Sequence, residues 1–296
     1  MADGHQLELV VHTIRGGAGD GPTLGLVAGI HGDEPIGVET VRRLVTELDD
    51  FAGELVVLPV ANPCAFQALT RNTPLDMSNL NRAFPGNANG TLTEQLAHAI
   101  AEQVVPRCHY LVDLHSGGNL ATVDYVYSFD DTGLSEVFGC EIVYRWRSYS
   151  GSLSSCSRER GIPTVVSELG GGQQRNDHFV EKGLRGIRNV MKTLGMLPGE
   201  PEVPKRQVAV SEMTTLRPHH GGLMLSDIDV SRLGESVAQG TELGRIVSPY
   251  TFEVLEVVTA PYDPTLLVLA RERVTKVDPG DYGFMVANGA TAVQIR

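Results

Sequence analysis

His31 and Glu34 stand three residues apart, directly after an apolar run at residues 24–30 and directly before Pro35. An imidazole nitrogen and a carboxylate oxygen are a common partial ligand set for zinc. Both can reach one ion if the chain turns between them. A strand that ends where a helix begins at proline makes such a turn. Spacing alone carries little weight. With nine histidines and 36 acidic residues in 296, a histidine followed three positions later by an acid is expected about once by chance. His5 with Glu8 and His178 with Glu181 repeat the spacing with glutamate. The first pair lies in or beside the strand-like run 7–11, where positions three apart face opposite ways. The second could share a helix face or form a solvated first turn.

The elements around these residues decide whether anything else meets them. Up to about residue 197 the chain alternates strand-like stretches (24–30, 54–60, 110–114, 141–146, 164–167) with helix-like ones (35–48, 91–105, 177–194). Thr91 and Glu94 have capping-box spacing, and Leu92, Leu96, Ala99 and Ile100 form an apolar stripe. Such alternation predicts an α/β fold, a mostly parallel sheet flanked by helices. Pro198, Pro201 and Pro204 mark a linker. Beyond it, short β-branched runs at 207–210, 244–247, 252–258 and 266–270 are separated by Gly, Pro and Asp turns, with no convincing helix. The expectation is an α/β domain at 1–198 followed by a small all-β domain at 205–296.

In an open parallel sheet, ligands bind beyond the carboxyl ends of the strands. Polar residues at those ends are His31 with Glu34, Asn62, His115 and Glu168. Three strand ends thus bring two histidines and two glutamates to one rim, which is far more specific than any single motif. Two histidines and one carboxylate, with water in the fourth position, make a catalytic zinc arrangement. A second, unligated carboxylate would then be the base that takes the water's proton. Asp113, two residues before His115, leaves the same strand face. There it can accept a hydrogen bond from the non-ligating nitrogen of a zinc histidine, or cap a loop.

The order His31, Glu34, His115, Glu168 resembles the zinc carboxypeptidase clan, and the fuller pattern resembles its succinylglutamate desuccinylase/aspartoacylase branch. The matching stretches are residues 29–34, Asn79-Leu80-Asn81-Arg82 with Phe84-Pro85-Gly86, residues 113–117, and Ser167-Glu168. The resemblance implies one zinc ion per chain held by His31, Glu34 and His115, with Glu168 as general base. It also implies that Asn81 and Arg82 grip the carboxylate of the amino-acid portion, and that Arg71 helps to stabilise the oxyanion. In addition it pairs Asp113 with His31. Read without it, Arg71 and Arg82 are solvated cations of a surface loop. The substrate class it implies is a small N-acylated amino acid losing an acetyl, succinyl or similar group. Departures from aspartoacylase itself point away from N-acetylaspartate: Asn79 stands in place of an aspartate, and the segment 71–82 is longer.

Other features read more plainly. Gly170, Gly171 and Gly172 lack the lysine and spacing of a phosphate loop and read as a flexible loop beside the site. His219 and His220 read as a turn. The all-β region resembles the barrel-sandwich domains of biotinyl and lipoyl carriers, through residues 234–237, Gly240, Leu243-Gly244 and Ile246. Its comparable turn at 260–264 has no lysine, so a carrier role is not expected; a wall for the site or a homo-oligomer contact is. Cys64, Cys108, Cys140 and Cys156 are far apart and read as reduced thiols. No run approaches a membrane span, and the first residues lack the pattern of a signal peptide, so a cytoplasmic protein is expected. A formal charge of −12 argues against nucleic acid and anionic membranes as partners. The leading reading is a zinc amidohydrolase acting on acyl amino acids. Its alternatives are a zinc carboxypeptidase or amidase on peptides, and a non-enzymatic metal-dependent binding protein.

Overall fold

The computed structural model describes residues 6–129, 133–172 and 176–296, so His5 lies outside the described residues. The N-terminal half runs β1 (His12–Arg15), β2 (Thr23–Ala28), α1 (Pro35–Glu47), β3 (Glu54–Leu58), α2 (Pro63–Ala68) and α3 (Leu92–Gln103). It continues as β4 (Tyr110–His115), β5 (Ala121–Ser128), α4 (Leu134–Phe138), β6 (Ile142–Arg145), α5 (Leu153–Glu159), β7 (Thr164–Gly170) and α6 (Asn176–Thr193). Strands β3, β2, β4 and β7 lie side by side and parallel. Along β2, Leu24, Leu26 and Ala28 belong to the apolar core shared with α1 and α6. Val27 belongs to the one shared with α3 and α5. A strand covered on both faces must be apolar throughout, which is why residues 24–30 form an unbroken run. Thr91 and Glu94 close a reciprocal capping box at the start of α3.

Besides the short helices α2, α4 and α5, which were not expected, two elements of the large sheet depart from expectation. The run 7–11 forms no strand; the strand begins at His12, and Leu7, Leu9 and Val11 instead rest on the core beside α3. The long strand β5 was not anticipated. Its apolar face carries Ala121, Val123, Tyr125 and Tyr127, but Asp124 on the other face breaks the pattern. Lys182 of α6 reaches that carboxylate at 2.5 and 2.7 Å, so the charge is buried only as a pair.

Beyond residue 205 the described elements are strands joined by loops and short 3-10 turns. These strands are β8 (Val208–Val210), β9 (Met213–Leu216), β10 (Gly222–Ser226), β11 (Ser236–Val237) and β12 (Glu242–Val247). After them come β13 (Val254–Thr259), β14 (Thr265–Arg271), β15 (Val274–Val277), β16 (Phe284–Asn288) and β17 (Val293–Gln294). Strands β13, β12, β10 and β15 make a separate antiparallel sheet. The others extend the large sheet: β14 pairs with β5, β16 with β14, and β9 with β16, all antiparallel. Strand β8 pairs with β6. One apolar core runs from Leu24 and Val143 through Val190 to Ala209, Leu267 and Phe284. Cys64, Cys108, Cys140 and Cys156 are unpaired and buried, and burial raises each thiol's pKa. Among the described residues no helix is long and apolar enough to cross a membrane.

Candidate metal centre and substrate cleft

The turn between β2 and α1 can form because of Gly32. A Cβ there would sit 1.9 Å from the Ala65 backbone of α2. Glu34 holds the N-cap position of α1, with Pro35 just inside the helix, but its side chain makes no cap bond. The carboxylate is turned to two imidazoles instead. Its Oε1 lies 2.8 Å from His31 Nδ1 and its Oε2 3.0 Å from His115 Nδ1. All three residues are buried, with donor atoms within 4.8 Å of one another. Among the described residues this is the only such group of three or more metal-type side chains. The other nitrogens face acceptors: His31 Nε2 is 3.1 Å from Asn79 Oδ1, and His115 Nε2 is 3.1 Å from Asp113 Oδ2. A proton on each Nε2 satisfies these acceptors, so a cation taken up between Glu34 and the two Nδ1 atoms would replace the Nδ1 protons and meet two imidazole lone pairs. Asn81 Nδ2 lies 3.4 Å from His115 Nε2, but a carboxylate can only accept, so Asp113 sets the tautomer.

The pairing corrects one expectation: Asp113 orients His115, and Asn79 orients His31. Asp113 precedes His115 on the same face of β4, whereas Asn79 is brought across from the loop after α2. The electrostatics ask for a cation. Burial opposes ionisation of Glu34, yet the two imidazoles hold its carboxyl far below the usual carboxylate range. Burial lowers the pKa of His31. It also opposes charge on His115, but Asp113 and Glu34 outweigh it and raise that pKa well above an ordinary imidazole's. Positive charge is wanted at the focus of these groups, and a divalent ion with nitrogen and oxygen ligands fits it.

Glu168 lies inside β7, not beyond its end, and pairs in register with His115 of β4 on one side and Tyr125 of β5 on the other. Register partners share a face, so Glu168 projects beside the histidine. Burial, with help from Glu34 and Asp113, pushes its pKa up to about 8 against the pull of His115 and Arg71. Arg71, half exposed, donates to Glu34 Oε1 at 3.2 Å. Asn81 accepts from Leu153 N at 2.9 Å through Oδ1, leaving its amide NH2 to donate. Arg82 donates to the Asn81 carbonyl at 2.7 Å and lies over the Tyr149 ring, 4.7 Å from its centroid.

These groups line one cleft of about 440 Å³. One wall is aromatic, with Tyr125, Tyr127 and Tyr149 prominent. Beside it, continuing the sheet from β5 to β14, the lining comes from beyond residue 205, with Leu269, Tyr282 and Met285. Neither part was expected residue by residue, although the alternation Val123, Tyr125, Tyr127 was a readable strand signal. Asn62 is not on the rim: it caps α2 and donates to Thr73 Oγ1. The run Gly170, Gly171, Gly172 is fastened by bonds to Gly117, Thr122 and Gly118. His219 and His220 form a turn closed on Glu256 by both backbone N–H groups.

Residues 20–194 match the model of the succinylglutamate desuccinylase/aspartoacylase catalytic domain. The chain belongs to this family. It is 31% identical over 248 residues to N-alpha-acetyl-L-2,4-diaminobutyric acid deacetylase of Halomonas elongata, across 77% of this chain and 71% of that protein. Family likeness extends past the catalytic domain. The product-bound ectoine utilization protein EutE (DoeB) from Ruegeria pomeroyi superposes with a TM-score of 0.80 at 27% identity, over 94% of this chain and 88% of that one. A succinylglutamate desuccinylase/aspartoacylase from Rhodobacter sphaeroides gives 0.81 at 27% identity, over 95% and 89%.

Proposed function

We propose that this chain is a zinc-dependent amidohydrolase that removes an acyl group from an N-acylated small amino acid. The observation that carries the reading is the juxtaposition of Glu168 with the group His31, Glu34 and His115, set by the β4–β7 register. His31 Nδ1, Glu34 and His115 Nδ1 would hold the ion, and Asp113 and Asn79 would fix the imidazoles. Zinc bound there supplies Lewis acidity to the attacking water and the scissile carbonyl. Glu168 takes the water's proton and later delivers it to the leaving amine. A carboxyl raised toward neutrality suits both halves of that task. Arg71 donates to the oxygen as it gains charge. The Arg82 fork and the Asn81 amide orient the substrate carboxylate. Deacylation also fits the activity named for the Halomonas elongata relative.

A peptidase reading uses the same chemistry but needs a wider cleft. Here the strands beyond residue 205 close one side, and about 440 Å³ suits a small molecule. The deciding experiment loads purified protein with zinc and follows amine release from N-acetyl and N-succinyl amino acids beside a dipeptide panel. Preferred cleavage of acyl amino acids is expected. Preferred cleavage of dipeptides would replace the proposal with the peptidase reading, and no turnover of either would leave only binding.

A further inference from the structure

Strands β13, β12, β10 and β15 form an antiparallel sheet with Met224, Ile246 and Val258 buried on its inner face. The outer face alternates with them. Val257, Arg245, Leu225 and Val274 are paired one to the next across the four strands, and Val247, Leu223 and Lys276 make a second row. An antiparallel sheet with one face packed ordinarily turns polar side chains outward. Here Val274 is 58% exposed and Val257 48%. The hairpin tip that joins β12 to β13 adds Tyr250 and Phe252, 89% and 81% exposed. Ser248 fastens this tip, its Oγ accepting from Thr251 N at 3.0 Å and its carbonyl from Phe252 N. Phe252 stands there at φ +63°, a conformation that strains a residue with a side chain. Aromatic rings held rigidly out in water are what an interface uses as anchors.

We propose that this face and its tip pack against the same face of a second copy of the chain about a two-fold axis. Area and charge both favour that occupant. An aromatic side chain offers about 150–250 Å² when fully exposed, so the tip contributes about 300 Å² per copy. With Val254, Leu255, Val257 and Val274, all exposed, the face approaches the ~800 Å² a side of a stable interface. The cations of the two rows are already neutralised within the chain, Arg245 by Glu242 at 2.6 Å and Lys276 by Asp278 at 3.1 Å. Two copies of a chain carrying −12 can therefore meet here with no unpaired charge from these rows opposed. Sheets that pack face to face bury such alternate rows between them, and a two-fold contact closes on itself as a dimer. Among the described residues the cleft is lined by none of these side chains, so the contact stands apart from the deacylase reading.

The test is sedimentation velocity on the full chain across the micromolar range. A dimer is expected, and Phe252→Gly should raise its dissociation constant about 10- to 100-fold. That variant removes a ring and relieves the strain at positive φ, so the fold is not endangered. Val257→Asp, beside Arg245 in register, should have the same effect. Val10→Asp, at a similarly exposed position of the N-terminal half, should leave the dimer intact. Far-UV circular dichroism should be unchanged in all three. A monomeric wild type overturns the proposal, as does a dimer that survives both face variants. A monomer that floats with phosphatidylcholine vesicles would give the face to a membrane instead, and overturns it too.

Discussion

Glu34 is the residue on which the candidate metal group closes, because its two oxygens reach His31 in the turn after β2 and His115 on β4 while the helix start behind it goes uncapped. Its neighbours have separable roles. Glu168→Gln keeps the shape and removes the proposed base, so turnover of an acyl amino acid should fall about 10²- to 10⁴-fold with zinc retained. Full activity with stoichiometric zinc would remove Glu168 from the mechanism. Asp113→Asn and Asn79→Ala each loosen one imidazole, and each should weaken zinc binding about 10- to 100-fold in competition with a chelator. His115→Ala removes a ligand outright and should leave the purified protein without stoichiometric zinc by elemental analysis.

The element that carries Arg71, Asn79, Asn81 and Arg82 is a loop, and a loop must be fastened before it can position donors. Asp76 does the fastening. Its carboxylate accepts from Thr93 N at 2.8 Å and Thr93 Oγ1 at 2.7 Å, at the start of α3, and from Ser78 N at 3.1 Å. Burial would raise its pKa, but these bonds prevail and hold it below the ordinary value. A depressed folded-state pKa contributes stability that is present above the unfolded value, about pH 4, and is lost as pH falls through the folded value. Asp76→Asn should therefore flatten the acid limb of stability against pH and raise KM for acyl amino acids. Denaturant titrations at pH 3–7 check the first effect. Gly32→Ala is expected to be worse, because the Ala65 backbone cannot yield to a Cβ 1.9 Å away. A destabilisation of about 1–3 kcal/mol or more, with loss of zinc, should appear in melting and metal analysis.

On the scale of the whole molecule, the region beyond residue 205 is hydrogen-bonded into the sheet that bears the site. Strand β14 pairs with β5, and Leu267 and Phe284 share a core with Leu24 and Val190. A chain ending at residue 204 would bare the Ala121–Val123 edge of β5 and part of that core, and an exposed apolar edge aggregates. Insoluble expression of such a fragment is the expected result. Tyr282→Ala leaves the core alone and removes part of the cleft wall, so it should act on KM more than on melting temperature. A fragment as soluble and as active as the full chain would show the wall to be dispensable.

Periodicity and turn chemistry made the α/β alternation, the capping box at Thr91 and the change of pattern after Pro204 legible in the sequence. They are local signals, set by which residues share a face over one or two turns. The same logic gathered His31, Glu34 and His115, because strand ends in a parallel sheet lie together, whereas Glu168 joins them from within β7 through its register with His115. Contacts between distant segments were beyond its reach. The partner of Asp113 depends on how the loop bearing Asn79 folds across the strands. Strand β5 was hidden because Asp124 looks misplaced until Lys182 arrives from α6. The part of the cleft lined by Leu269 and Met285 depends on β14 crossing to β5. Those pairings are decided by packing over long chain separations, where the residue types tolerate many arrangements and only the assembled core selects one.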